Sequence, residues 1–158
     1  MTIDARFEKV SYGQYAEYGD YQTYTDLPLP RRATKYSAGY DFFAPCDIAL
    51  DAGETVTVAT GIRVTMPGEY FLMIAPRSGL GFKYRLRLNN TVGIIDADYV
   101  NSPNEGHIFV RMTNEGDKRL EIKKGEAFAQ GILLRYYVTE DDEANEPRCG
   151  GLGSTDKK

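Results

Sequence analysis

The segment 75–81, which reads Ala-Pro-Arg-Ser-Gly-Leu-Gly, brings together three residue types that suit a phosphate chain. Arg77 offers a planar fork of guanidinium donors, Ser78 offers a hydroxyl, and Gly79 leaves its backbone N–H unhindered. Such donors bind the oxygens of phosphate groups in proteins. The residue types therefore predict an anion-binding turn.

A second segment, 90–99, reads Asn-Thr-Val-Gly-Ile-Ile-Asp-Ala-Asp-Tyr and carries a carboxylate among apolar residues. Asp96 follows Ile94 and Ile95 and precedes Tyr99, so we expect its side chain to be partly desolvated. Partial desolvation makes a carboxylate more useful as a base. Each segment alone is a weak signal, because Ser-Gly and Ile-Asp turns are common in loops. Their order and spacing carry the argument.

The composition restricts the partners of these residues. With 158 residues, 42% of them hydrophobic and 27% charged, the chain has the size and make-up of one globular domain. The net charge of −4 and the pI of about 5.1 disfavour a polynucleotide as a partner. The first residues lack the apolar core of a signal peptide, and no run reaches the length of a membrane span. We therefore expect a cytoplasmic protein with no membrane contact.

Histidine and cysteine are scarce in this chain. His107 is the single histidine, and Cys46 and Cys149 are far apart, which leaves too few soft ligands for a zinc site. We expect both thiols to be free. His107 is predicted to be a strand residue that faces solvent or a hydrogen-bond partner, and a Ser-His-Asp triad would have to use it. The chemistry is therefore expected to depend on carboxylates, backbone amides and Mg²⁺.

Short strands are the elements that must position these residues. From residue 50 onward, apolar runs alternate with turn signals, as in all-β sandwiches and barrels. Segments 66–69 and 123–126 are turn-like, and each contains a glycine. Helical periodicity is weak throughout this region. The apolar segment 127–136 is predicted to be a strand that is covered on both faces or lies at a subunit contact, because Gly131 disfavours the alternative of a short helix.

The two ends of the chain differ from its middle. Tyrosines recur at positions 12, 15, 18, 21 and 24, a spacing that drifts around an α-helix. We expect a loosely ordered or partly helical extension whose rings pack on the barrel, with a tyrosine-rich ligand-binding arm as the alternative. An extended linker at 27–32 leads into the domain. The acidic segment 139–147 leads out of it into a Gly-rich tail.

That tail, Arg-Cys-Gly-Gly-Leu-Gly-Ser-Thr at 148–155, has the composition of a phosphate clamp. It is the last of five ordered segments that resemble the five motifs of the trimeric dUTP diphosphatases. The resemblance extends from about residue 35 to residue 155. The five segments are 38–44 (Ala-Gly-Tyr-Asp-Phe-Phe-Ala), 76–81, 93–99, 125–130 and 148–155.

The resemblance implies an all-β fold, a jelly-roll-like β barrel that forms a homotrimer with each active site assembled from three subunits. It implies a barrel domain at 35–138, and the tyrosine-rich N-terminal extension and linker at 1–34 would precede that domain outside the resemblance. A flexible acidic linker and a C-terminal arm at 139–158 would follow, with the arm closing over a neighbouring active site. The implied reaction converts dUTP to dUMP and pyrophosphate with Mg²⁺.

The resemblance also implies roles for the segment around the carboxylate. Asp96 would activate the water that attacks the α-phosphorus. Tyr99 would pack under the sugar and leave no room for a 2′-hydroxyl. The uracil and sugar pocket would be lined by Asn90, Gly93, Ile94 and Ile95.

The remaining motif residues would hold the triphosphate. The phosphate-binding set carried over from the family comprises Arg77, Ser78, Gly79, Gln130 from a neighbouring subunit, Arg148, and the arm residues Gly153, Ser154 and Thr155, while Leu152 of the same arm would cover the uracil. Arg77 has the alternative role of an ion-pair partner between subunits. Asp41 would contact the water shell of the metal and not the metal itself.

Three departures from the family pattern stand out. Leu152 occupies the position of an aromatic that usually stacks on uracil, Asp156 replaces a glycine, and 100–105 lengthens a loop. A related dCTP deaminase is one alternative, but those enzymes have a catalytic glutamate where this chain has Arg111. The other alternative is a dUTPase-like trimer that acts as a nucleotide-responsive regulatory or partner-binding protein, which the N-terminal extension and the altered tail motivate.

Overall fold

A computed structural model describes residues 2–151 of the chain, and strands dominate it. The strands are β1 (Arg6–Lys9), β2 (Tyr40–Phe43), β3 (Ile48–Leu50), β4 (Thr55–Ala59), β5 (Ile62–Thr65), β6 (Tyr70–Pro76), β7 (Leu86–Leu88), β8 (Gly93–Asp96), β9 (Phe109–Asn114), β10 (Leu120–Ile122) and β11 (Ala127–Arg135). The helices are α1 (Tyr12–Tyr15), α2 (Tyr21–Asp26), α3 (Ser78–Tyr84) and a 3₁₀ helix (Ala97–Asn101). The predicted all-β class is confirmed.

All strand pairs are antiparallel, and they form four sheets within the described residues. The largest sheet has the order β2-β11-β6-β8, and a three-stranded sheet has the order β4-β9-β7. The pairs β1-β5 and β10-β3 complete the set. The described strands thus pair as separate sheets around a shared core.

The core of the molecule comes from alternate positions of these strands. On β6, Leu72 and Ile74 are fully buried, as the two-residue period of a strand requires. Gly131 on β11 lies directly against them, because a Cβ there would be 2.9 Å from Leu72 Cδ1 and 3.0 Å from Phe42 Cε2. The prediction of a strand at 127–136 is confirmed, and close packing explains its glycine.

Helix α3 differs from the sequence pattern, which predicts only a turn after Arg77. It begins directly after Arg77 and ends at Tyr84, and the next residue, Arg85, adopts a left-handed conformation with φ of 53°. Leu80 and Tyr84, four residues apart, pack together against the core. This spacing places both on one helical face. The two-residue anchor is too short to produce a visible periodicity in the sequence.

The N-terminal segment is partly helical, which is one of the two forms predicted for it. Its strand β1 pairs with β5, and Ser11 and Asp20 cap α1 and α2 through their side chains. Tyr15 is buried, and the hydroxyl of Tyr24 donates to the backbone carbonyl of Val10 at 2.9 Å. The tyrosine rings therefore pack on each other and on the sheets. None of the helices in residues 2–151 is long and apolar enough to cross a membrane.

His107 corrects one of the two environments predicted for it. It does not face solvent, because its side chain is fully buried just before β9. Its Nε2 accepts a hydrogen bond from the backbone N–H of Gly61 at 2.9 Å, which confirms the prediction of a hydrogen-bond partner. Burial lowers the pKa of His107 to about 4. The imidazole is therefore neutral and structural. Cys46 and Cys149 are both free, as predicted.

Candidate active site

One group of predicted site residues meets at the end of the largest sheet. The register places Gln130 of β11 opposite Asp41 of β2 and opposite Ala75 of β6. Asp41 Oδ1 lies 3.3 Å from the Nε of Arg77, and Gln130 Nε2 donates to the carbonyl of Pro76 at 3.1 Å. Three of the five sequence motifs are therefore adjacent in space. We call Asp41, Arg77, Ser78 and Gln130 the phosphate-end cluster.

Ser78 of this cluster and the adjacent Gly79 begin α3 and are exposed. Together with Arg77 and Lys83 they line a cavity of about 500 Å³. A Cβ placed on Gly79 would meet no atom within 4 Å, so its glycine is not required by packing inside one chain. The cavity wall carries two cationic side chains, and also the carboxylates of Glu121 and Glu126.

The second group lies along the edge strand β8. Asp96 is the last residue of β8 and pairs with Phe71 of β6. Its neighbour Ile95 is buried, but Ile94 points outward and Asp96 itself is 53% exposed. The predicted partial desolvation of Asp96 is therefore not found within one chain. The alternation of the edge strand turns Ile94 and Asp96 to the same open face.

The turn before β8 holds the other residues predicted for the base pocket. Asn90 is exposed, and its carbonyl accepts from the N–H of Val92 at 2.7 Å. Thr91 takes a φ of 69°, which makes the turn tight. Gly93 is buried against Ile74, whose Cβ would lie 3.1 Å from a Cβ at Gly93. The backbone of 90–93 is therefore held close to β6.

Tyr99 is buried in the 3₁₀ helix that follows β8. Its hydroxyl donates to the carbonyl of His107 at 2.8 Å and accepts from Nδ2 of Asn104 at 2.8 Å. Burial raises the pKa of Tyr99 above its usual value of 10.0. The phenol is therefore neutral.

Arg148 reaches back from the tail to the end of β8. Its Nη2 bonds to Asp96 Oδ2, and its Nε donates to Asp98 Oδ1 at 2.8 Å. The guanidinium lies 5.7 Å from the centre of the Tyr99 ring, and only 11% of the side chain is exposed. The hydrogen bond to Asp98 raises the pKa of Arg148 further above its usual range. The predicted arm residues Leu152, Gly153, Ser154 and Thr155 lie outside the described residues.

The two groups lie at opposite ends of the sheet. Asp96 pairs with Phe71, near the start of β6, whereas Arg77 directly follows the end of that strand. Six residues of extended chain span about 20 Å. Within the described residues of one chain, Asp96, Tyr99 and Arg148 are therefore separated from the phosphate-end cluster.

Oxygen ligands for a cation are few within one chain. No group of three or more His, Cys, Asp or Glu side chains converges among residues 2–151. Mg²⁺ commonly keeps several waters and is held by one or two carboxylates together with substrate phosphates. The half-buried carboxylate of Asp41, within the phosphate-end cluster, fits such a site.

Comparison with known proteins agrees with the motif pattern. The sequence model of the dUTPase family matches residues 25–155. The chain belongs to the dUTPase family. It is 41% identical, over 82% of its length and 88% of the relative, to the deoxyuridine 5′-triphosphate nucleotidohydrolase of Lactococcus lactis subsp. lactis. The enzyme of the same name from Dictyoglomus turgidum is 37% identical over 82% of this chain and 91% of the relative.

A solved structure supports the same conclusion for the fold. The dUTPase from Streptococcus mutans superposes with a TM-score of 0.68 at 36% identity, over 85% of this chain and 98% of that one. The resemblance stated from the five motifs is therefore confirmed at the level of the family. The matched region begins at residue 25, after most of the tyrosine-rich segment.

Sequence reasoning missed three residues around Tyr99 and the tail. Asp98 accepts a hydrogen bond from Arg148, and Asn104 donates one to the Tyr99 hydroxyl. Ser102 Oγ donates to the carbonyl of Gly150 at 3.1 Å. The unusual length of the 100–105 loop is the one feature of the sequence that could have drawn attention to these residues. Nothing in the sequence alone indicates which partners its side chains find.

Proposed function

We propose that this protein hydrolyses dUTP to dUMP and pyrophosphate in the cytoplasm. The observation that carries the proposal is the family match over residues 25–155, together with relatives named deoxyuridine 5′-triphosphate nucleotidohydrolase at up to 41% identity over most of the chain. The acidic balance of the chain, with net charge −4, suits a small nucleotide better than a polynucleotide.

We propose a homotrimer as the active form. One chain leaves Asp96 at the opposite end of the sheet from Arg77 and Ser78, so a single copy does not complete the site. A neighbouring copy would bring its phosphate-end cluster to the open face that Ile94 and Asp96 share. That contact would also cover Asp96 and supply the desolvation that one chain lacks.

In this site Asp96 would act as the general base. Its carboxylate would take a proton from water while the water oxygen attacks the α-phosphorus. The bond from that phosphorus to the bridging oxygen would break, and pyrophosphate would leave with the bonding electron pair. A positioned base contributes about 10²- to 10⁴-fold to such a rate.

The phosphate-end cluster would bind the phosphates that leave as pyrophosphate. Arg77 would supply charge-assisted hydrogen bonds, Ser78 and Gly79 would supply a hydroxyl and an amide, and Gln130 would contact a phosphate from a neighbouring subunit. Mg²⁺, when bound, would neutralise phosphate charge, with Asp41 contacting its water shell. Arg148 and the arm residues Leu152, Gly153, Ser154 and Thr155 would close over the phosphates and base.

The nucleoside would lie against β8 and the turn before it. Asn90 and the backbone of Gly93, Ile94 and Ile95 would contact uracil and the sugar. The buried ring of Tyr99 would close the space that a 2′-hydroxyl needs, which excludes ribonucleotides by shape.

The test is pyrophosphate release from dUTP at saturating Mg²⁺ by wild type and two variants. Asp96→Asn should retain the fold and the oligomer but lose at least about a hundredfold in kcat, the lower end for a lost general base. Asp117→Asn is the matched control, because Asp117 is an exposed carboxylate in the loop between β9 and β10 and belongs to neither group. It should behave as wild type. Near-normal turnover in Asp96→Asn would remove Asp96 from the mechanism, and no release by the wild type would refute the function.

A further inference from the structure

The loop that follows Tyr99 is built around one amide side chain. Asn104 donates from Nδ2 to the Tyr99 hydroxyl at 2.8 Å, and its Oδ1 accepts from the backbone N–H of Gly106 at 3.2 Å. Its backbone carbonyl accepts from the N–H of His107 at 3.0 Å. Both polar groups of the amide are therefore hydrogen-bonded. The oxygen accepts from the loop backbone, and the nitrogen donates to the hydroxyl of Tyr99.

The hydroxyl of Tyr99 has no partner in the described residues other than this loop. It accepts from Asn104 and donates to the carbonyl of His107. The loop is closed tightly at Gly106, where φ is 74° and a Cβ would lie only 2.7 Å from Val100 Cα. The far end of the ring is thus tied to a compact segment with little room to move.

The same loop contacts the tail and the N-terminal segment. Ser102 Oγ donates to the carbonyl of Gly150, and a Cβ on Gly151 would lie 3.6 Å from Nδ2 of Asn104. Glu105 accepts from both the N–H and the hydroxyl of Ser11, at 2.7 and 2.6 Å. The loop is therefore anchored on both sides, so its hold on Tyr99 is fixed with respect to the rest of the chain.

We propose that Asn104 is a positioning residue that sets the sugar specificity of the enzyme through the hydroxyl of Tyr99. The inference rests on the proposed function, in which the ring excludes a 2′-hydroxyl. Exclusion by shape works only if the ring cannot withdraw, since a small shift would admit the extra oxygen atom. The hydrogen bond from Asn104 opposes that shift. The substrates it distinguishes are deoxyribonucleoside and ribonucleoside triphosphates with the same base.

The experiment measures kcat/KM for dUTP and for UTP in wild type, Asn104→Ala, Tyr99→Phe and the double variant. Asn104→Ala should lower the dUTP-to-UTP ratio by about three- to tenfold, the range that one net hydrogen bond supports. Tyr99→Phe should lower it by at least as much, because it also removes the hydrogen bond to the carbonyl of His107. The double variant should show no loss beyond that of Tyr99→Phe, because the bond from Asn104 is already absent when the hydroxyl is removed. Asn101→Ala is the matched control. Its side chain is exposed and makes no hydrogen bond to the described residues, so its ratio should equal that of wild type.

Asn104→Leu provides a second variant in case the alanine change prevents folding. It keeps a similar side-chain volume but has neither a donor nor an acceptor for the Tyr99 hydroxyl, so the same loss of specificity is expected. An unchanged ratio in a folded Asn104 variant would overturn the proposal and leave Asn104 only a structural role. Additive effects in the double variant would also overturn it. A wild type without dUTP turnover would refute the proposed function itself, which is a distinct result.

Discussion

Acid should destabilise this protein through His107 before most carboxylates titrate. The imidazole is fully buried beside Phe109, with ring centroids 4.3 Å apart, and its Nε2 is occupied by the N–H of Gly61. Burial lowers its pKa from 6.5 to about 4, and the nearby charge of Glu105 offsets only part of this effect. As the pH falls below 6.5, the unfolded chain takes up a proton that the folded chain resists.

The size of the effect follows from that difference. The contribution of His107 is fully present above pH 6.5 and is lost as the pH falls toward 4. The total loss is about 3 kcal/mol of unfolding free energy, and about 2.5 kcal/mol of it occurs by pH 4.5. This is a large share of the stability of an ordinary domain. The protein should therefore unfold at a markedly lower urea concentration at pH 4.5 than at pH 7.

Urea unfolding at matched protein concentration between pH 7 and 4.5 measures this, with His107→Gln as the test variant. Glutamine does not titrate and keeps an acceptor for Gly61, so its unfolding free energy should fall by about 2.5 kcal/mol less over this range. Glu105→Gln is the control for a nearby carboxylate whose pKa is lowered by hydrogen bonds from Ser11. The plot of its unfolding free energy against pH should remain parallel to that of wild type until the pH approaches 4.5. Parallel curves for wild type and His107→Gln would refute the reasoning.

Two further predictions concern the tail. Deletion of residues 148–158 should leave oligomer size unchanged and remove most dUTP turnover. It should lower the melting temperature by only about 2–4 °C, because partly exposed ion pairs such as that of Arg148 contribute about 1 kcal/mol. Light scattering, a thermal melt and the pyrophosphate assay check all three, and normal turnover would contradict the role of a closing arm. Leu152→Phe should tighten binding of a non-hydrolysable dUTP analogue about two- to tenfold by adding an aromatic face over uracil. Calorimetry should show much less change for inorganic pyrophosphate, and unchanged analogue affinity would refute stacking.

Local pattern predicts the strands of this chain well and its helices poorly. The strand at β11 follows from a continuous apolar run interrupted by Gly131, and the structure shows why that position excludes a side chain. Helix α3 is not predicted because only Leu80 and Tyr84 anchor it. The N-terminal tyrosines predict a loosely ordered or partly helical segment, and the structure has the second form. Their packing on Val10 and Ala59, and the pairing of β1 with β5, depend on residues far away in the chain.

The candidate site shows the same division. Residue types and motif order are enough to predict Asp41, Arg77, Asp96, Gln130 and Arg148 as site residues, because their chemistry is local to each motif. The adjacency of Asp41, Arg77 and Gln130 depends on strand register. The exposure of Asp96 on an edge strand depends on sheet order. Neither register nor sheet order is encoded by neighbours along the chain.

The sequence by itself determined the family, the strand-rich class and the identity of the chemical groups, since these depend on residue type and short-range spacing. Only the tertiary structure decided that the motif residues lie at two ends of one sheet, that His107 is buried and neutral, and that Asn104 holds the hydroxyl of Tyr99. Each of these results from contacts between segments brought together by folding. Burial and hydrogen-bond partners are properties of the packed molecule, so no local pattern contains them.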